Sequence, residues 1–214
     1  MPKKGDGTLH TNPNTDNRTE NPAQQNDTYR VSKGVGALFD IMESLVQAVI
    51  IAIVMLTVFF RISIVDGTSM VPTLHNGDTL IISDFCYTPK TGDIVVVQPM
   101  TERFNELIIK RVIATGGQTV DIDFINWIVY VDGEPLELPH ETYINFIDGI
   151  AMNQSDISFP HTVPQGKIFV MGDNRNDSLD SRDSAVGDID EQLIVGRALY
   201  RILPFEDRKN LTTS

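Results

Sequence analysis

Three short stretches of this chain carry side chains that could perform acyl-transfer chemistry. Ser69 lies in the sequence VDGTSMVPTL, between β-branched residues that favour extended chain and Pro72, which fixes φ and removes a backbone donor. Lys110 lies in the apolar run LIIKRVIA, and the polar run GDNRNDSLDSR covers residues 172–182. A serine hydroxyl needs a base before it can act as a nucleophile. Taken alone, the stretch around Ser69 fits an ordinary turn equally well.

Lys110 is the stronger candidate for that base. The period-two geometry of a strand puts Lys110 on the same face as Ile108. If that face is buried, desolvation disfavours the ammonium and lowers its pKa, by up to ~3–5 units in extreme cases. A neutral lysine can then accept the Ser69 proton. The alternatives are a lysine that faces solvent, or a histidine base drawn from four scattered residues, His10, His75, His140 and His161.

The polar run 172–182 is too hydrophilic to lie in a core. It could be a solvated turn or a calcium-binding loop, but the spacing of Asp173, Asp177 and Asp180 does not match the ligand positions of an EF-hand. Pairing of these carboxylates with Arg175 and Arg182 could instead brace a bend beside a catalytic site.

An apolar segment stands in front of Ser69. Residues 41–60 form a run of about twenty residues, long enough to cross a hydrocarbon core at ~1.5 Å per residue. The alternatives are a buried helix of a soluble domain and a cleaved signal sequence. No small-x-small cleavage site follows Phe60, and residues 48–60 carry only one polar side chain, Thr57. We therefore expect an uncleaved transmembrane anchor over residues 37–62.

Basic residues indicate how this anchor is oriented. Arg30 and Lys33 lie on its amino-terminal side, whereas only Arg61 lies near its other end. The positive-inside rule then predicts a single-pass protein of the cell membrane, with a cytoplasmic amino terminus and an extracytoplasmic remainder. Residues 1–36 are polar and poor in large apolar side chains, which predicts a disordered cytoplasmic tail.

Strand patterns dominate the chain beyond the anchor. Short β-branched runs alternate with Gly and Pro turns, which is typical of an all-β domain of the barrel or sandwich-like kind. The predicted strands cover residues 78–82, 93–97, 107–114, 119–123, 127–131, 167–171 and 192–202. The catalytic domain is predicted over 63–205, with a small cap or loop region at about 132–166 and a tail over 206–214.

Composition narrows the possible partners. The formal net charge is −12, which disfavours nucleic acid because phosphate contacts need clustered Lys and Arg. The single cysteine, Cys86, cannot form an internal disulfide, and no Cys/His spacing predicts a metal site. No Gly-rich phosphate loop is present either. We expect neither a metal nor a cofactor.

A serine, a lysine and a Gly-Asp-Asn-Arg run, in that order behind an anchor, resemble the bacterial type I signal peptidases. The resemblance covers residues 41 to 204 and implies an antiparallel β-domain of the signal-peptidase type with a Ser-Lys dyad. It implies that Ser69 is the nucleophile, that Lys110 is the general base, and that Ser178 hydrogen-bonds the Lys110 amine. Asp180 and Arg182 would form a supporting ion pair.

The resemblance also bears on the oxyanion hole. One donor would be the backbone N–H of Ser69. In some family members a serine hydroxyl two residues before the nucleophile supplies the second donor, but Gly67 stands there in this chain. The glycine backbone, the Thr68 side chain and a water molecule all remain candidates. Gly67 and the single anchor resemble the Gram-positive branch of the family.

The implied substrates are preproteins whose signal peptides carry small residues at the first and third positions before the cut. An extended peptide could add as a strand between residues 64–66 and 107–109. Val65, Met70 and Ile109 are the candidate walls of its two shallow pockets. The implied partners are thus signal peptides and the lipid bilayer.

Two other functions fit parts of the pattern. A different Ser-Lys protease, such as the self-cleaving repressor type, shares a β-rich catalytic core, but such proteins are soluble and bind DNA. An inactive, membrane-anchored homologue that acts as a binding or scaffold protein would keep the same fold. The cheapest discriminating experiment is to incubate the detergent-solubilised protein with a preprotein and to compare the wild type with Ser69→Ala.

Overall fold

A computed structural model describes residues 33–101, 105–138, 147, 149–154 and 156–212 of the chain. The predicted tail 1–36 therefore lies outside the described residues except for its last four positions. Within the described part, one long helix precedes a series of short strands.

Helix α1 runs from Lys33 to Phe59. Its segment Val35–Phe59 has a mean hydropathy of 2.3, and by length and composition it is able to cross a membrane. The helix begins eight residues before the apolar run 41–60, because residues 33–40 are helical as well. Arg61 and Ile62, which the predicted anchor 37–62 includes, belong to the first strand, and the bounds of the anchor in a membrane stay a prediction.

Twelve antiparallel strands follow in the described residues and form two sheets. The larger sheet has the order β1-β2-β11-β3-β4-β9-β10, with β12 paired to β11, and the smaller sheet has the order β7-β6-β5-β8. The strands are β1 Arg61–Ile64, β2 Thr79–Ser83, β3 Ile94–Val97, β4 Ile108–Thr115, β5 Thr119–Asp123, β6 Ile128–Val131, β7 Glu134–Pro135, β8 His161–Thr162, β9 Lys167–Met171, β10 Ile189–Asp190, β11 Ile194–Leu203 and β12 Lys209–Asn210.

Burial along the strands follows their composition. In β2, buried and half-buried residues alternate, as expected where one face covers a core. All four residues of β3 are buried, which explains its unbroken IVVV sequence. This arrangement confirms an all-β domain of antiparallel sheets preceded by one apolar helix.

Two segments differ from the prediction. The predicted tail over 206–214 is part of the domain as far as it is described, because β12 pairs with β11 and Leu211 packs into the core. The predicted cap over 132–166 contributes two strands to the smaller sheet, and its residues Met152 and Val163 are buried. Residues 139–146, 148 and 155 of that cap lie outside the described residues.

Candidate active site

Ser69 and Lys110 meet at the larger sheet although 41 positions separate them in the chain. Ser69 lies in the turn between β1 and β2, and Lys110 lies on β4. The Lys110 Nζ donates to Ser69 Oγ at 2.7 Å and to the carbonyl of Ile109 at 3.1 Å. Only 3% of Lys110 is exposed. A hydroxyl and an amine are therefore within proton-transfer distance in a site that excludes most solvent.

The protonation of Lys110 reflects that burial. Desolvation lowers the pKa of the Lys110 amine from 10.5 to about 8, because the ammonium form loses its hydration. The negative charges of Asp180 and Asp173 offset part of this shift. A much larger fraction of Lys110 is therefore neutral near physiological pH than of a free lysine, and the neutral form is the one that acts as a general base.

The backbone around Ser69 is held by the polar run that follows β9. Asn174 N–H donates to the carbonyl of Ser69 at 3.0 Å, and its side-chain amide donates to the carbonyl of Thr68 at 3.1 Å. Gly172 permits this close approach, since a Cβ there would lie 2.4 Å from the Ser69 carbonyl oxygen and 2.3 Å from Ser178 Oγ. Any side chain at position 172 would push the two segments apart.

A buried ion pair ties the same run to β4. Arg111 donates to both carboxylate oxygens of Asp173, at 2.8 and 2.7 Å, and to the carbonyl of Gly92 at 2.6 Å. Thr73 Oγ1 also donates to Asp173, at 2.5 Å. Bidentate pairs of this kind are among the stronger charge-assisted contacts in proteins. Asp173 thus joins β4, the polar run and the turn that carries Ser69.

The ion pair that was expected between Asp180 and Arg182 is present and buried. Arg182 donates to the two Asp180 oxygens at 2.8 and 2.9 Å, and Asp180 accepts the Gly172 N–H at 3.0 Å. Burial by itself raises the pKa of Asp180, but the hydrogen bonds and charge of Arg182 outweigh that effect and hold it below the usual range. Arg182 also donates to the carbonyl of Arg175, so the pair closes the bend.

Ser178 differs from the expectation. The predicted hydrogen bond to the Lys110 amine is not formed, because Nζ is directed at Ser69 Oγ and the Ile109 carbonyl. The Ser178 hydroxyl oxygen is buried and makes no hydrogen bond of standard geometry with a described residue, but its side chain interacts with the Asp180 carboxylate and helps to lower the pKa of Asp180. An orienting role for Ser178 stays a prediction.

The candidates for the oxyanion hole are not equivalent. Within the described part of the chain, the Ser69 N–H has no hydrogen-bond acceptor. Gly67 adopts a positive φ of 94°, and its N–H donates to Asn76 Oδ1 at 2.9 Å. The Thr68 hydroxyl donates to Asp177 at 2.5 Å. Among these three donors from the described residues, the Ser69 N–H is thus the one that can be used without breaking another contact.

The three residues predicted to line substrate pockets belong to one apolar cluster. Val65 and Met70 are only 4% and 2% exposed, and half-buried Ile109 packs against them. Two strand edges next to these residues are unpaired among the described residues. There, β1 pairs with β2 on one side only, and residues 108–110 of β4 have no partner on the β9 side. Unpaired edges of this kind can accept an added strand.

Sequence reasoning missed several residues that hold the site together. Gly172 and Asn174 lie in the run that was singled out, but only its charged members were assigned a bracing function. Arg111 and Thr73 were not connected with Asp173, because they are 62 and 100 positions away from it. The one available signal was an arginine next to Lys110 in an apolar strand, since a buried guanidinium requires a partner.

Comparison with known proteins gives a consistent result. A family model described as "Signal peptidase, peptidase S26" matches residues 38–203. The "Probable signal peptidase I-1" of Synechocystis sp. is 39% identical over 65% of this chain and 69% of its own length. The "Signal peptidase I T" of Bacillus subtilis is 32% identical over 78% of this chain and 86% of its own. A crystal structure of a signal peptidase I from Enterococcus faecalis is 26% identical, with a TM-score of 0.43, over 52% of this chain and 97% of that one.

Proposed function

The chain belongs to the signal peptidase family, peptidase S26, and from this we propose that it removes N-terminal signal peptides from exported preproteins. It would act as a membrane-anchored serine endopeptidase in which Ser69 is the nucleophile and Lys110 the general base. The observation that carries this proposal is the 2.7 Å contact between Lys110 Nζ and Ser69 Oγ, made by a lysine whose pKa is lowered to about 8.

The reaction follows from these two groups. Neutral Lys110 accepts the Ser69 proton while Oγ attacks the scissile carbonyl, and the Ser69 N–H donates to the oxyanion that forms. The Lys110 ammonium then gives its proton to the leaving amine, which leaves an acyl-enzyme on Ser69. Water, activated by Lys110 in turn, releases the cleaved signal peptide and restores the hydroxyl.

The supporting residues act through geometry. The Asp180–Arg182 pair holds the bend that carries Ser178, through contacts to Gly172 and Arg175. The Ser178 hydroxyl is buried beside Asp180, to which it can donate, and its oxygen can then accept a hydrogen bond from the Lys110 amine once Nζ leaves Ser69 Oγ during the reaction. We assign Ser178 that orienting role.

The substrate would bind as an added strand between β1 and the first residues of β4. Alternate side chains of an extended peptide point the same way, so the first and third residues before the cut would face one wall. Val65, Met70 and Ile109 would form it, since they belong to one apolar cluster in which Ile109 is the half-buried member.

The membrane anchor would determine where in the cell the reaction takes place. Helix α1 would cross the cell membrane once, with the amino terminus in the cytoplasm and the β-domain outside. Only residues 60–68 separate the helix from Ser69, so the active site would lie close to the membrane surface, where the end of a translocated signal peptide emerges.

The test uses the full chain in detergent with a preprotein substrate. We expect cleavage after the signal peptide, complete loss in Ser69→Ala, and loss for a preprotein whose last signal-peptide residue is changed from alanine to phenylalanine. Cleavage by Ser69→Ala would refute the assigned nucleophile. Absence of cleavage by the wild-type chain would favour a binding or scaffold protein, and unchanged cleavage of the bulky substrate would leave a Ser-Lys protease of another specificity.

A further inference from the structure

We infer that Asn174 is the positioning residue of the oxyanion hole, an inference that rests on the proposed function. It starts from a feature of the Ser69 turn: one residue from the polar run holds two successive carbonyls. The Asn174 side-chain amide donates to the Thr68 carbonyl at 3.1 Å, and its backbone N–H donates to the Ser69 carbonyl at 3.0 Å.

The first of these contacts determines where the oxyanion donor points. The Thr68 carbonyl and the Ser69 N–H belong to the same peptide unit, which is planar and trans. In such a unit the C=O and N–H bonds point in opposite directions. The Thr68 carbonyl also accepts the Val71 N–H within the turn, at 3.1 Å, so this bond and the Asn174 amide together hold the carbonyl and direct the Ser69 N–H away from Asn174. A rotation of the peptide would break both contacts.

The direction matters because the Ser69 N–H has little support from other donors. The N–H of Gly67 is engaged by Asn76, and the Thr68 hydroxyl by Asp177. The Ser69 N–H itself has no acceptor among the described residues, so it is free for a developing oxyanion. If the oxyanion hole depends on the Ser69 N–H, rotation of the Thr68–Ser69 peptide removes most of its stabilisation of the oxyanion.

Asn174 is itself rigidly placed. It is 8% exposed, and it follows Asp173, which is held by Arg111 and Thr73. Gly172, two positions earlier, is fixed by Asp180. The buried ion pairs thus fix the position of Asn174, and Asn174 in turn fixes the backbone next to the nucleophile. It does this without contacting the reacting atoms.

The test separates transition-state binding from substrate binding. Asn174→Ala removes the side-chain donor, and Asn174→Leu removes it while keeping the volume. Each variant is assayed for preprotein cleavage and for inhibition by two probes, a signal-peptide-like peptide aldehyde and the corresponding alcohol. The aldehyde carbon bonds to Ser69 Oγ, its π electrons move to its oxygen, and the serine proton passes to Lys110. The alcohol binds without reacting.

Loss of one oxyanion donor costs about 10²–10³-fold in kcat, and misplacement of a donor costs less. We therefore expect kcat to fall about 10- to 100-fold in both variants, with KM changed less than about threefold. The inhibition constant of the aldehyde should rise by the same factor, whereas that of the alcohol should not change. The pH midpoint of activity should also stay at the wild-type value, because Lys110 is untouched.

Asn176→Ala is the matched control. Asn176 lies in the same run, and its side-chain amide donates to a backbone carbonyl, that of Ala151, at 3.1 Å, but it does not contact the Ser69 turn. The other hydrogen bonds of Asn176 among the described residues go to Asn153, so its truncation removes no bond to the Ser69 turn and should leave the ratio of the two inhibition constants unchanged. Inhibition constants do not depend on how much of each variant folds, so a destabilised preparation still gives an answer.

Two results would overturn the inference. If both Asn174 variants keep the wild-type aldehyde affinity and kcat, the contact between Asn174 and the Thr68 carbonyl does not orient the Ser69 N–H. Equal weakening of aldehyde and alcohol would show that Asn174 shapes a peptide-binding subsite instead. In either case inactive Ser69→Ala would leave the proposed function intact, whereas active Ser69→Ala would refute the nucleophile assigned there, and absence of cleavage by the wild-type chain would refute the function itself.

Discussion

Lys110 and Arg111 are neighbours on β4, and both are almost fully buried, with 3% and 5% of their surface exposed. Successive side chains of a strand point to opposite faces, so the two cations lie in different surroundings. Arg111 meets Asp173 in a bidentate ion pair. Lys110 takes part in no ion pair within the described residues, and its Nζ faces a serine hydroxyl and a backbone carbonyl.

The difference shows that burial alone does not decide what a cation does. A buried charge with a carboxylate partner keeps its proton and stabilises a defined geometry, whereas one without such a partner releases its proton more easily. Position 110 suits an amine because an amine can lose its proton. Position 111 suits a guanidinium, which stays charged and offers two parallel donors.

The largest expected effect comes from placing a guanidinium on the Lys110 side of the strand. Lys110→Arg should lower kcat/KM by about 10³-fold or more, because its side chain stays protonated at any usable pH and cannot act as a base. Ser178→Ala should retain more activity, since it leaves the base in place. Preprotein cleavage measures both, with the exposed Lys90→Arg as control. Activity of Lys110→Arg near the wild-type level would mean that another residue is the base.

Stability should respond in opposite directions on the two sides of β4. Asp173→Asn leaves Arg111 buried without its charge partner and should lower the free energy of unfolding by about 3–5 kcal/mol. Lys110→Met removes a cation whose pKa is lowered from 10.5 to about 8, and should raise the free energy of unfolding at pH 7 by up to about 3 kcal/mol.

The stability gained in Lys110→Met should depend on pH, because burial of Lys110 disfavours only the protonated form of its amine. The destabilisation by Lys110 is complete below its folded pKa of about 8 and disappears as the pH rises to the unfolded value near 10.5. The gain in Lys110→Met should therefore vanish over that interval. Urea unfolding of the full chain in detergent at several pH values measures both variants. Equal losses in the two variants would show that the two cations play the same structural part.

The smallest expected effect is a shift of the pH profile. Below about pH 8, kcat/KM should rise about tenfold per pH unit and then level off, because only neutral Lys110 accepts the serine proton. Asp180 raises the pKa of Lys110 in part, so Asp180→Asn should move the midpoint to lower pH. The midpoint does not depend on the folded fraction. A midpoint near pH 6.5, typical of histidine, would contradict the assignment of the base.

Much of the site could be predicted because it depends on local pattern. Ser69 before Pro72, and Lys110 at the apolar end of a strand, are visible as residue types in a fixed local order. The strand 119–123 has the predicted bounds, and β11 ends before Pro204 as the loss of a backbone donor requires. The pair of Asp180 and Arg182 is only two residues apart, so it too was within reach of sequence reasoning.

The sequence by itself predicted the apolar helix, seven of the strands in their order, and Ser69 and Lys110 as the candidate nucleophile and base, and its composition fixed the net negative charge. The helix and strands follow from short-range periodicity, and the two candidate residues follow from local pattern together with the family resemblance. Only the tertiary structure decided which charges neutralise each other and which donors remain free. The contacts of Asp173 with Arg111, and of Asn174 with Thr68, join residues 62 and 106 positions apart. These contacts form only when the fold brings β4, the polar run after β9 and the Ser69 turn together. The residue pattern within a single strand or loop does not predict which of these distant residues will meet.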